Sequence, residues 1–308
     1  MIQVVPYSVE YKEQWDSFIN QSKNATFLFK RDFVEYHADR FEDVSVLIFQ
    51  KGKLVAIFPA NKSENTVVSH QGLTYGGLVL DDSSTFLMVG SLFKELLNYY
   101  RQQGLLCLDL KVIPSFYCSR TSEEIKYLAF KEKANNYRTD IASVVDLSNR
   151  LSYSQNKKKN LKAISSELMI GKGLKEFWVD ILTPNLKERF NVDPVHTFEE
   201  IKLLQNKFSE NIKFFAVFED REMVAGTLLF IDKNVVHAQY ISANERGKQL
   251  NSLDFLFNHL LEQYADQKYF SFGISNENQG RDINEGLLRW KEGFGARCFT
   301  HDFYRFIL

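Results

Sequence analysis

The sequence is poor in cysteine and proline, and it has no long apolar run. Its 308 residues include 3 Cys and 5 Pro. The cysteines Cys107, Cys118 and Cys298 have no CxxC spacing, so we expect no disulfide framework, and Cys107 lies in an apolar run typical of a buried thiol. No segment approaches the roughly 18 apolar residues of a membrane-spanning helix. We therefore expect no membrane partner.

The sequence also lacks an excess of either charge. Its 38 Lys and Arg oppose 39 Asp and Glu, which leaves a formal net charge of −1. Proteins that bind bulk nucleic acid usually have a basic excess, because phosphate neutralisation supplies most of the binding free energy. We therefore expect no nucleic-acid partner. The N-terminal residues lack the basic and apolar segments of a signal peptide, so a cytoplasmic location is expected. No His, Cys and carboxylate cluster has metal-ligand spacing, so no metal is expected.

The apolar pattern predicts an α/β (α+β) protein of two domains, with limits at residues 1–148 and 149–308. The length suits two domains of roughly 150 residues. Each half shows the order strand, helices, three-strand meander, helix, strand, helix, strand. The predicted helices that matter below cover residues 30–39, 84–103, 154–167, 174–190, 250–265 and 282–292.

The two halves contain similar elements at similar spacing. Residues 49–56 (FQKGKLVA) parallel residues 218–225 (FEDREMVA), and the strand at 105–110 parallels the one at 268–273. Near-constant spacing of a hairpin, a long helix and a strand favours a duplicated unit. The alternative is that any α/β protein shows such similarities by chance.

Short motifs in both halves resemble those of one enzyme group. In the second half these are residues 224–227 (VAGT), 237–240 (HAQY), 270–275 (FSFGIS) and 290–296 (WKEGFGA). They resemble the "AGT", "HxxY", "DFG-S" and "KxxFGA" stretches of tandem GNAT acyltransferases, the group that includes the FemAB-like enzymes. Residues 69–77 (SHQGLTYGG) are similar to the N-terminal "S…YGG" loop of that group.

The resemblance implies two tandem GNAT-like domains, each with a mixed, mainly antiparallel sheet flanked by helices. It also implies an acyl donor on the second domain. FemABX enzymes add amino acids from aminoacyl-tRNA to peptidoglycan precursors, whereas other members use acyl-CoA, among them N-acyltransferases of nucleotide-linked amino sugars. The near-neutral charge and the lack of a long charged helical hairpin favour coenzyme A as the donor carrier.

Three residues are catalytic candidates. Transfer from a thioester to an amine requires a neutral amine, a donor for the carbonyl oxygen and a proton for the thiolate. His70 enters a glycine-rich loop and is a candidate base, or else a turn histidine bonded to backbone. The resemblance implies that Tyr240 protonates the thiolate and that Lys291 stabilises the oxyanion. The alternatives are a packed tyrosine and a solvated lysine.

The loop at residues 244–252 (NERGKQLNS) occupies the place where GNAT enzymes carry an Arg/Gln-x-x-Gly-x-Gly/Ala turn for pyrophosphate. One glycine matches and the flanking residues differ, so a capped surface loop is the alternative. The candidate cofactor-binding residues are Ile241, Arg246, Gly247, Lys248, Asn251 and Ser252.

Candidate substrate-binding residues come from three segments. Residues 150–175 contain seven basic side chains against one acidic one, Glu167, which suits a diphosphate substrate. A polar loop at residues 275–284 follows the predicted strand at 269–273, where α/β proteins often bind ligands. Solvated surface is the alternative for all of them. The candidates are Gln71, Tyr75, Gly76, Lys157, Lys158, Asn276, Glu277 and Asn284.

The resemblance implies an N-acyltransferase for surface polysaccharide such as O-antigen, and we expect it to be cytoplasmic. We expect it to transfer acetyl, or a short hydroxyacyl group such as 3-hydroxybutanoyl, from acyl-CoA to a nucleotide-linked amino sugar such as dTDP-3-amino-3,6-dideoxyhexose. A FemX-like aminoacyl-tRNA-dependent enzyme and a non-catalytic tandem-GNAT binding module are the alternatives. The sugar, the acyl chain, the domain that binds each substrate and the oligomeric state are left open.

Overall fold

The computed structural model describes residues 1–164 and 168–308 and divides the chain into two compact units. The first contains Met1–Asp140, Asn278–Arg281 and Thr300–Leu308, and the second contains Ile141–Glu277 and Asp282–Phe299. The division thus follows Asp140, and the C-terminal strand from Thr300 returns to the first unit. The domain limits 1–148 and 149–308 stay a prediction.

The strands, in chain order, are β1 (Ile2–Pro6), β2 (Glu42–Asp43), β3 (Val46–Gln50), β4 (Lys53–Phe58), β5 (Asn61–Ser63), β6 (Thr66–Val68), β7 (Val79–Leu80), β8 (Cys107–Lys111), β9 (Asn135–Asp146), β10 (Met169–Gly171), β11 (Ile212–Glu219), β12 (Glu222–Ile231), β13 (Val235–Ala243), β14 (Tyr269–Ile274), β15 (Asn276–Glu277), β16 (Asp282–Ile283) and β17 (Arg297–Ile307). The α-helices are α1 (Lys12–Gln21), α2 (Arg31–Val34), α3 (Phe86–Gln102), α4 (Glu124–Lys131), α5 (Gln155–Lys162), α6 (Leu174–Glu176), α7 (Thr183–Phe190), α8 (Phe198–Lys207), α9 (Glu245–Gln249), α10 (Ser252–Gln263) and α11 (Glu285–Glu292). A π-helical segment, Phe177–Leu182, joins α6 to α7.

The first unit is built mainly on antiparallel strand pairs, and β6 and β8 pair parallel. Strands β1, β3, β4 and β7 pair in that order. Strand β8 pairs antiparallel with residues 303–307 of β17 and parallel with β6, which continues through β5 to β2. Helix α3 buries Val89, Leu92, Phe93 and Leu96, which share one face at helical spacing and join the core of this unit.

The second unit has the strand order β10-β11-β12-β13-β14-β9. Strands β10 to β13 are antiparallel neighbours, and β14 runs parallel to β13. Helix α10 packs on this sheet through Leu256, Phe257, Leu260 and Leu261. The helical segment 174–190 passes close to β12, where a Cβ on Gly226 would lie 2.6 Å from the Phe177 ring. These contacts place α7 and α10 beside the ends of β13 and β14.

The β3–β4 hairpin of the first unit and the β11–β12 hairpin of the second have the same register shift and the same turn conformation. In the first, the register shifts between Ile48 and Phe49, and in the second it shifts between Val217 and Phe218. Both turns use two residues of positive φ, namely Lys51 (51°) and Gly52 (79°) in one, Asp220 (46°) and Arg221 (73°) in the other. These are the equivalent positions of the two similar segments. The correspondence seen in the sequence therefore extends to backbone conformation.

The fold class predicted from the sequence is confirmed: the structure is α/β, with mixed, mainly antiparallel sheets and flanking helices. The predicted helix 84–103 is α3, and 174–190 is helical with a π segment that ends just before Pro184, which lacks an N–H and disfavours continuous α-helix. The helix predicted at 30–39 was too long, since α2 ends at Val34.

Three other predicted helices have different limits. The helix predicted at 154–167 is observed as α5, and residues 165–167 lie outside the described residues. The one predicted at 250–265 begins at Ser252, because Asn251 has a left-handed φ of 54°. The one predicted at 282–292 begins at Glu285, because β16 pairs with β15 and Asn284 caps α11. Among the described residues, no helix combines the length and apolar character needed to cross a bilayer.

The turn geometry predicts a stabilising substitution. Arg221 occupies a left-handed position where the equivalent residue is Gly52. Left-handed φ costs an L-residue about 1–2 kcal/mol, and the greater flexibility of unfolded glycine offsets part of the gain. We expect Arg221→Gly to raise the free energy of unfolding by about 0.5–1 kcal/mol in urea titrations. The neighbouring Glu222→Gly lies in a strand and should lower it. A lower value for Arg221→Gly would contradict this account.

Candidate functional site

A cavity opens in the second unit where β13 and β14 separate. The two strands pair from Val235/Tyr269 to His237/Ser271. Beyond that point the register of β13 shifts, with Gln239 as the extra residue of a bulge, and the register of β14 also shifts before Ile274. The cavity has a volume of about 720 Å³. Two irregular strands that diverge thus create the space.

Apolar side chains make up most of the cavity wall. Aliphatic and aromatic groups come from the end of the π-helical segment and from α7, β13, β14, α10 and α11. They are Leu182, Leu186, Phe190, Ile241, Ala243, Leu253, Ile274, Leu287 and Trp290. A cavity of this size with mainly apolar walls and a few polar groups is typical of a small-molecule site.

Asp254 is the charged centre of one wall, and its carboxylate is buried. Oδ1 accepts hydrogen bonds from Lys157 Nζ at 2.5 Å and Trp290 Nε1 at 2.8 Å, and Oδ2 accepts one from Asn160 Nδ2 at 2.9 Å. Lys157 is itself buried and lies 3.9 Å from the ring centroid of Phe294. Burial lowers the pKa of Lys157, and its bond to Asp254 opposes that shift. A buried carboxylate requires such partners, because an unpaired one is strongly destabilising.

The two lysines of α5 predicted to bind substrate, Lys157 and Lys158, have different surroundings. The Lys157 ammonium is engaged by Asp254 and the aromatic rings, so it joins α5 to α10 and α11. Lys158 is exposed on α5 and does not line the cavity. Their substrate-binding roles stay predictions.

Tyr240 lies on β13 beside the cavity, and its side chain is nine-tenths buried. Its Oη is 2.7 Å from His196 Nδ1 and accepts a longer bond, 3.3 Å, from the His196 backbone N–H. The Trp178 ring packs edge-on against it at 4.9 Å. Burial raises the pKa of Tyr240 to about 12, so the phenol keeps its proton at neutral pH. Ile241, the next residue of β13, lines the cavity, whereas Tyr240 itself does not, and the catalytic role of Tyr240 stays a prediction.

Lys291 is buried in the last turn of α11 beneath the end of β14. Its Nζ donates to the carbonyl oxygens of Gly273 at 3.1 Å and Ile274 at 2.5 Å, which the irregular end of β14 leaves available. Burial lowers the pKa of Lys291 to about 7. Burial, followed by the nearby Lys291, lowers the pKa of His237 to about 4. Lys291 can therefore change its protonation state near neutral pH.

The loop before α10 is internally bonded. Asn244 caps the short helix α9, and its Oδ1 accepts the Gly247 N–H at 2.8 Å. Gly247 packs so closely that a Cβ there would lie 2.2 Å from the carbonyl oxygen of Val224. Ser252 is buried and donates to the Gly247 carbonyl at 2.9 Å. The glycine therefore serves close packing, and its N–H is already bonded.

The other cofactor candidates divide into two groups. Ile241, Gly247, Lys248 and Asn251 line the cavity, whereas Arg246 and Ser252 do not. Arg246 forms two bonds of 2.6 Å to Glu219, and Lys248 pairs with Glu245. Asn251 precedes α10 without a side-chain cap bond, so that helix begins at the cavity uncapped.

The structure brings the polar-loop candidates together at the cavity. Asn276, Glu277 and Asn284 all line it. Asn276 Oδ1 accepts the Ile141 N–H at 2.5 Å, and Asn284 Nδ2 donates to Glu277 Oε1 at 2.9 Å. Asn284 Oδ1 also caps α11 by accepting the Leu287 N–H at 3.0 Å. These side chains fix the loop as well as facing the cavity.

His70 lies in the first unit, in a tightly packed loop. It has a left-handed φ of 62° and only 2% of its surface is exposed. Its ring stacks on that of His37 at a centroid distance of 5.2 Å. Burial, together with His37, lowers the pKa of His70 to about 3. The imidazole is therefore neutral and weakly basic at pH 7. Its role as a base stays a prediction.

The remaining first-unit candidates stabilise the same loop. Gln71 exchanges two bonds of 2.7 Å with Asn61, and the Tyr75 hydroxyl is 3.0 Å from Thr26 Oγ1. At Gly76 a Cβ would lie 2.0 Å from the carbonyl oxygen of Ser69. Lys111 Nζ donates to three loop carbonyls, those of His70, Gln71 and Leu73. These contacts give the loop a defined conformation, and the binding roles of Gln71, Tyr75 and Gly76 stay predictions.

Sequence patterns missed several residues of the site in the second unit. Asp254, Asn160, Trp290, Asn185 and His196 are distant in sequence from the residues they contact. Asn185 Nδ2, for example, donates to Ser242 Oγ at 2.7 Å and to the Ala243 carbonyl at 2.9 Å. An aspartate on the apolar side of α10 was the one available signal, because a carboxylate there needs a buried partner. In the part of the chain that the structure describes, no group of three His, Cys, Asp or Glu residues could hold a metal.

The comparisons with known proteins concern the same region. Residues 179–292 match the family model described as an acetyltransferase (GNAT) domain. No curated protein sequence matches the chain. The matched segment contains β11 to β14, the loop before α10 and most of the cavity wall. Over this segment the second unit is therefore similar to a GNAT acetyltransferase domain.

Solved structures match nearly the whole chain at low identity. The crystal structure of FemX is 9% identical with a TM-score of 0.71 and covers 99% of this chain and 97% of its own. A tandem GNAT protein from the clavulanic acid biosynthesis pathway is 11% identical with a TM-score of 0.58 and covers 100% and 98%. The structure of L-PGS from Bacillus licheniformis is 12% identical with a TM-score of 0.57 and covers 96% and 91%. Such identities show the tandem GNAT fold alone, and together with the domain match they support an acyltransferase.

The buried pair Lys157–Asp254 predicts a large effect on stability. Lys157→Met would leave the Asp254 carboxylate buried without its cation, which typically costs about 3–5 kcal/mol. The exposed neighbour Lys158→Met is the matched control and should change the free energy of unfolding by less than about 0.5 kcal/mol. Urea titrations measure both. Equal stability of the two variants would show that the pair does not hold α5 in place.

Lys291 predicts a pH dependence of stability. The pKa of Lys291 is about 7 in the folded protein and 10.5 for an unperturbed lysine, so between these pH values the unfolded chain binds more protons. Its charge therefore destabilises the fold below about pH 7, and raising the pH towards 10.5 removes that cost. The wild type should gain stability relative to Lys291→Met over this range, as measured by urea unfolding. Parallel pH profiles for the two proteins would contradict the lowered pKa.

Proposed function

We propose that the protein is an N-acyltransferase that moves an acyl group from acyl-CoA to the amino group of a nucleotide-linked amino sugar, such as dTDP-3-amino-3,6-dideoxyhexose, for surface polysaccharide. The observation that carries the proposal is the cavity at the diverging ends of β13 and β14. Most of its wall lies within the segment that matches an acetyltransferase domain, and Tyr240, which keeps its proton at neutral pH, directly precedes Ile241 of the wall. The sugar and nucleotide rest on the motif resemblance.

The residues present suit an acyl-CoA donor in part. The cavity combines apolar walls with Lys248 and Asn251 at the uncapped start of α10, where helix dipole and cation both favour an anionic group. Arg246 forms an ion pair with Glu219, and the Gly247 N–H already donates a hydrogen bond to Asn244 Oδ1. Because Lys248 and Asn251 line the cavity and Arg246 does not, we assign the pyrophosphate contact to Lys248 and Asn251.

The proposed reaction is direct attack of the amine on the thioester carbonyl. A C–N bond forms, the C–S bond breaks, the amine gives up one proton and the thiolate gains one. Tyr240 supplies the proton to sulfur, and His196 Nδ1, 2.7 Å from the phenol oxygen, is placed to stabilise the phenolate. Protonated Lys291 stabilises the developing oxyanion. With a pKa of about 3, His70 is a weak base, so we assign amine deprotonation to bound water.

A second candidate is a FemX-like aminoacyltransferase that takes its donor from aminoacyl-tRNA and acts on a peptidoglycan precursor. The bonded Gly247 N–H favours it, because a donor without a CoA pyrophosphate does not need that group. A donor without that pyrophosphate would also not need Arg246 as a phosphate ligand.

Release of free thiol from a panel of acyl-CoAs, with and without amino-sugar nucleotides, tests the proposal. Acceptor-dependent release supports it. Transfer of amino acid that depends on intact tRNA, with no thiol release from acyl-CoA, would establish the second candidate instead. Heat stabilisation by CoA without turnover of any pair would point to a binding module.

Removal of the Tyr240 hydroxyl tests its role in that assay. Tyr240→Phe keeps the ring that packs on Trp178 but loses the proton donor, so kcat should fall about 10²–10⁴-fold with little change in KM. Tyr264→Phe, directly after the C-terminal end of α10, is the matched control and should retain the wild-type rate. Full activity of Tyr240→Phe would remove this residue from the mechanism.

A further inference from the structure

We propose that the cavity in the second unit binds an aliphatic acyl chain longer than acetyl, carried by the donor thioester. This inference rests on the proposed function and specifies its donor. Acetyl and short hydroxyacyl groups need only a small recess, whereas the cavity has a volume of about 720 Å³. Its size and wall chemistry together suit a flexible apolar chain.

Large apolar side chains at the cavity are partly open to solvent. Phe190 on α7 is 49% exposed, Ile274 at the end of β14 is 40% exposed, and Leu287 on α11 is 39% exposed. They come from separate elements and face one space. Apolar groups that converge on a cavity and stay exposed favour an apolar ligand, because covering them removes their surface from water.

The polar groups of the wall are largely occupied by partners within the protein. Asn160 and the Trp290 indole donate to Asp254, whose charge Lys157 neutralises. Asn185 donates to Ser242 and to the Ala243 carbonyl. A ligand part rich in hydroxyl or charged groups would lose water there without gaining equal hydrogen bonds. An aliphatic chain has no such requirement.

Three of the four charged side chains of the lining are exposed. Arg189, Lys248 and Glu277 lie at the solvent side, whereas Asp254 is buried and paired. An aminoacyl group would bring an ammonium into a region where the buried carboxylate of Asp254 is already paired with Lys157. The arrangement instead suits an amphiphile with an anionic head near Lys248 and an apolar tail against the inner wall.

The binding of such a chain has a quantitative signature. Each methylene moved from water into an apolar site contributes about 0.8 kcal/mol, which is about fourfold in affinity. Affinity should therefore increase stepwise from acetyl to butanoyl to octanoyl until the chain fills the cavity. The gain from acetyl to octanoyl should exceed about tenfold even when only part of the chain is buried.

The experiment measures the dissociation constants of CoA, acetyl-CoA, butanoyl-CoA and octanoyl-CoA by calorimetry with the full chain. Leu287→Asp places a charge in the wall and should abolish the gain in affinity from acetyl-CoA to octanoyl-CoA. Leu203→Asp is the matched control, because Leu203 is a helical leucine with 44% exposure outside the cavity lining. Ile274→Trp fills the space and should weaken octanoyl-CoA binding more than acetyl-CoA binding.

The outcomes separate this inference from the proposed function. Equal affinity for all chain lengths, with CoA bound, overturns the acyl-chain site and leaves the CoA donor standing. If CoA does not bind, the N-acetylcysteamine thioesters of the same acids are measured. If affinity then increases with chain length and Leu287→Asp removes that increase, the acyl-chain site stands without CoA as the carrier. If affinity does not increase with chain length, both the acyl-chain site and the CoA donor are overturned. Preference for an aminoacyl thioester over octanoyl also overturns it.

Discussion

The buried carboxylate of Asp254 is the constraint on which the site of the second unit depends. It belongs to the first turn of α10, and its three donors come from α5 and α11. Satisfying this one charge therefore fixes three helices relative to one another and holds Trp290 in the cavity wall. The desolvation cost of a carboxylate makes the arrangement highly restrictive, since removal of any donor leaves a polar group that water cannot reach.

The second determinant is irregularity in two neighbouring strands. A parallel pair with regular hydrogen bonds would have left no space between β13 and β14. The bulge at Gln239 and the register shift before Ile274 end the pairing early. The same irregularity leaves the carbonyls of Gly273 and Ile274 for Lys291, whose burial brings its pKa to about 7. One backbone feature thus forms a cavity and perturbs a titratable group next to it.

The loop before α10 shows how a matching glycine can serve another purpose. Gly247 occupies the position expected of a phosphate-binding turn, yet its N–H is bonded to Asn244 and its Cα packs on β12. The cation of Arg246 is likewise engaged by Glu219. Residue type alone did not distinguish a free donor from a bonded one, because the bond depends on where Asn244 and Glu219 are placed by β11 and β12.

The sequence by itself determined the fold class, the paired hairpins and the approximate place of most helices, because these follow from local apolar periodicity and from turn residues such as Lys51-Gly52. It also indicated that Asn276, Glu277 and Asn284 belong to one site, since all three follow a strand end. Only the tertiary structure decided that Lys157 pairs with Asp254 and that Tyr240 meets His196. Those partners are far apart in the chain, and burial, which sets their charge and pKa, is a property of packing rather than of residue order.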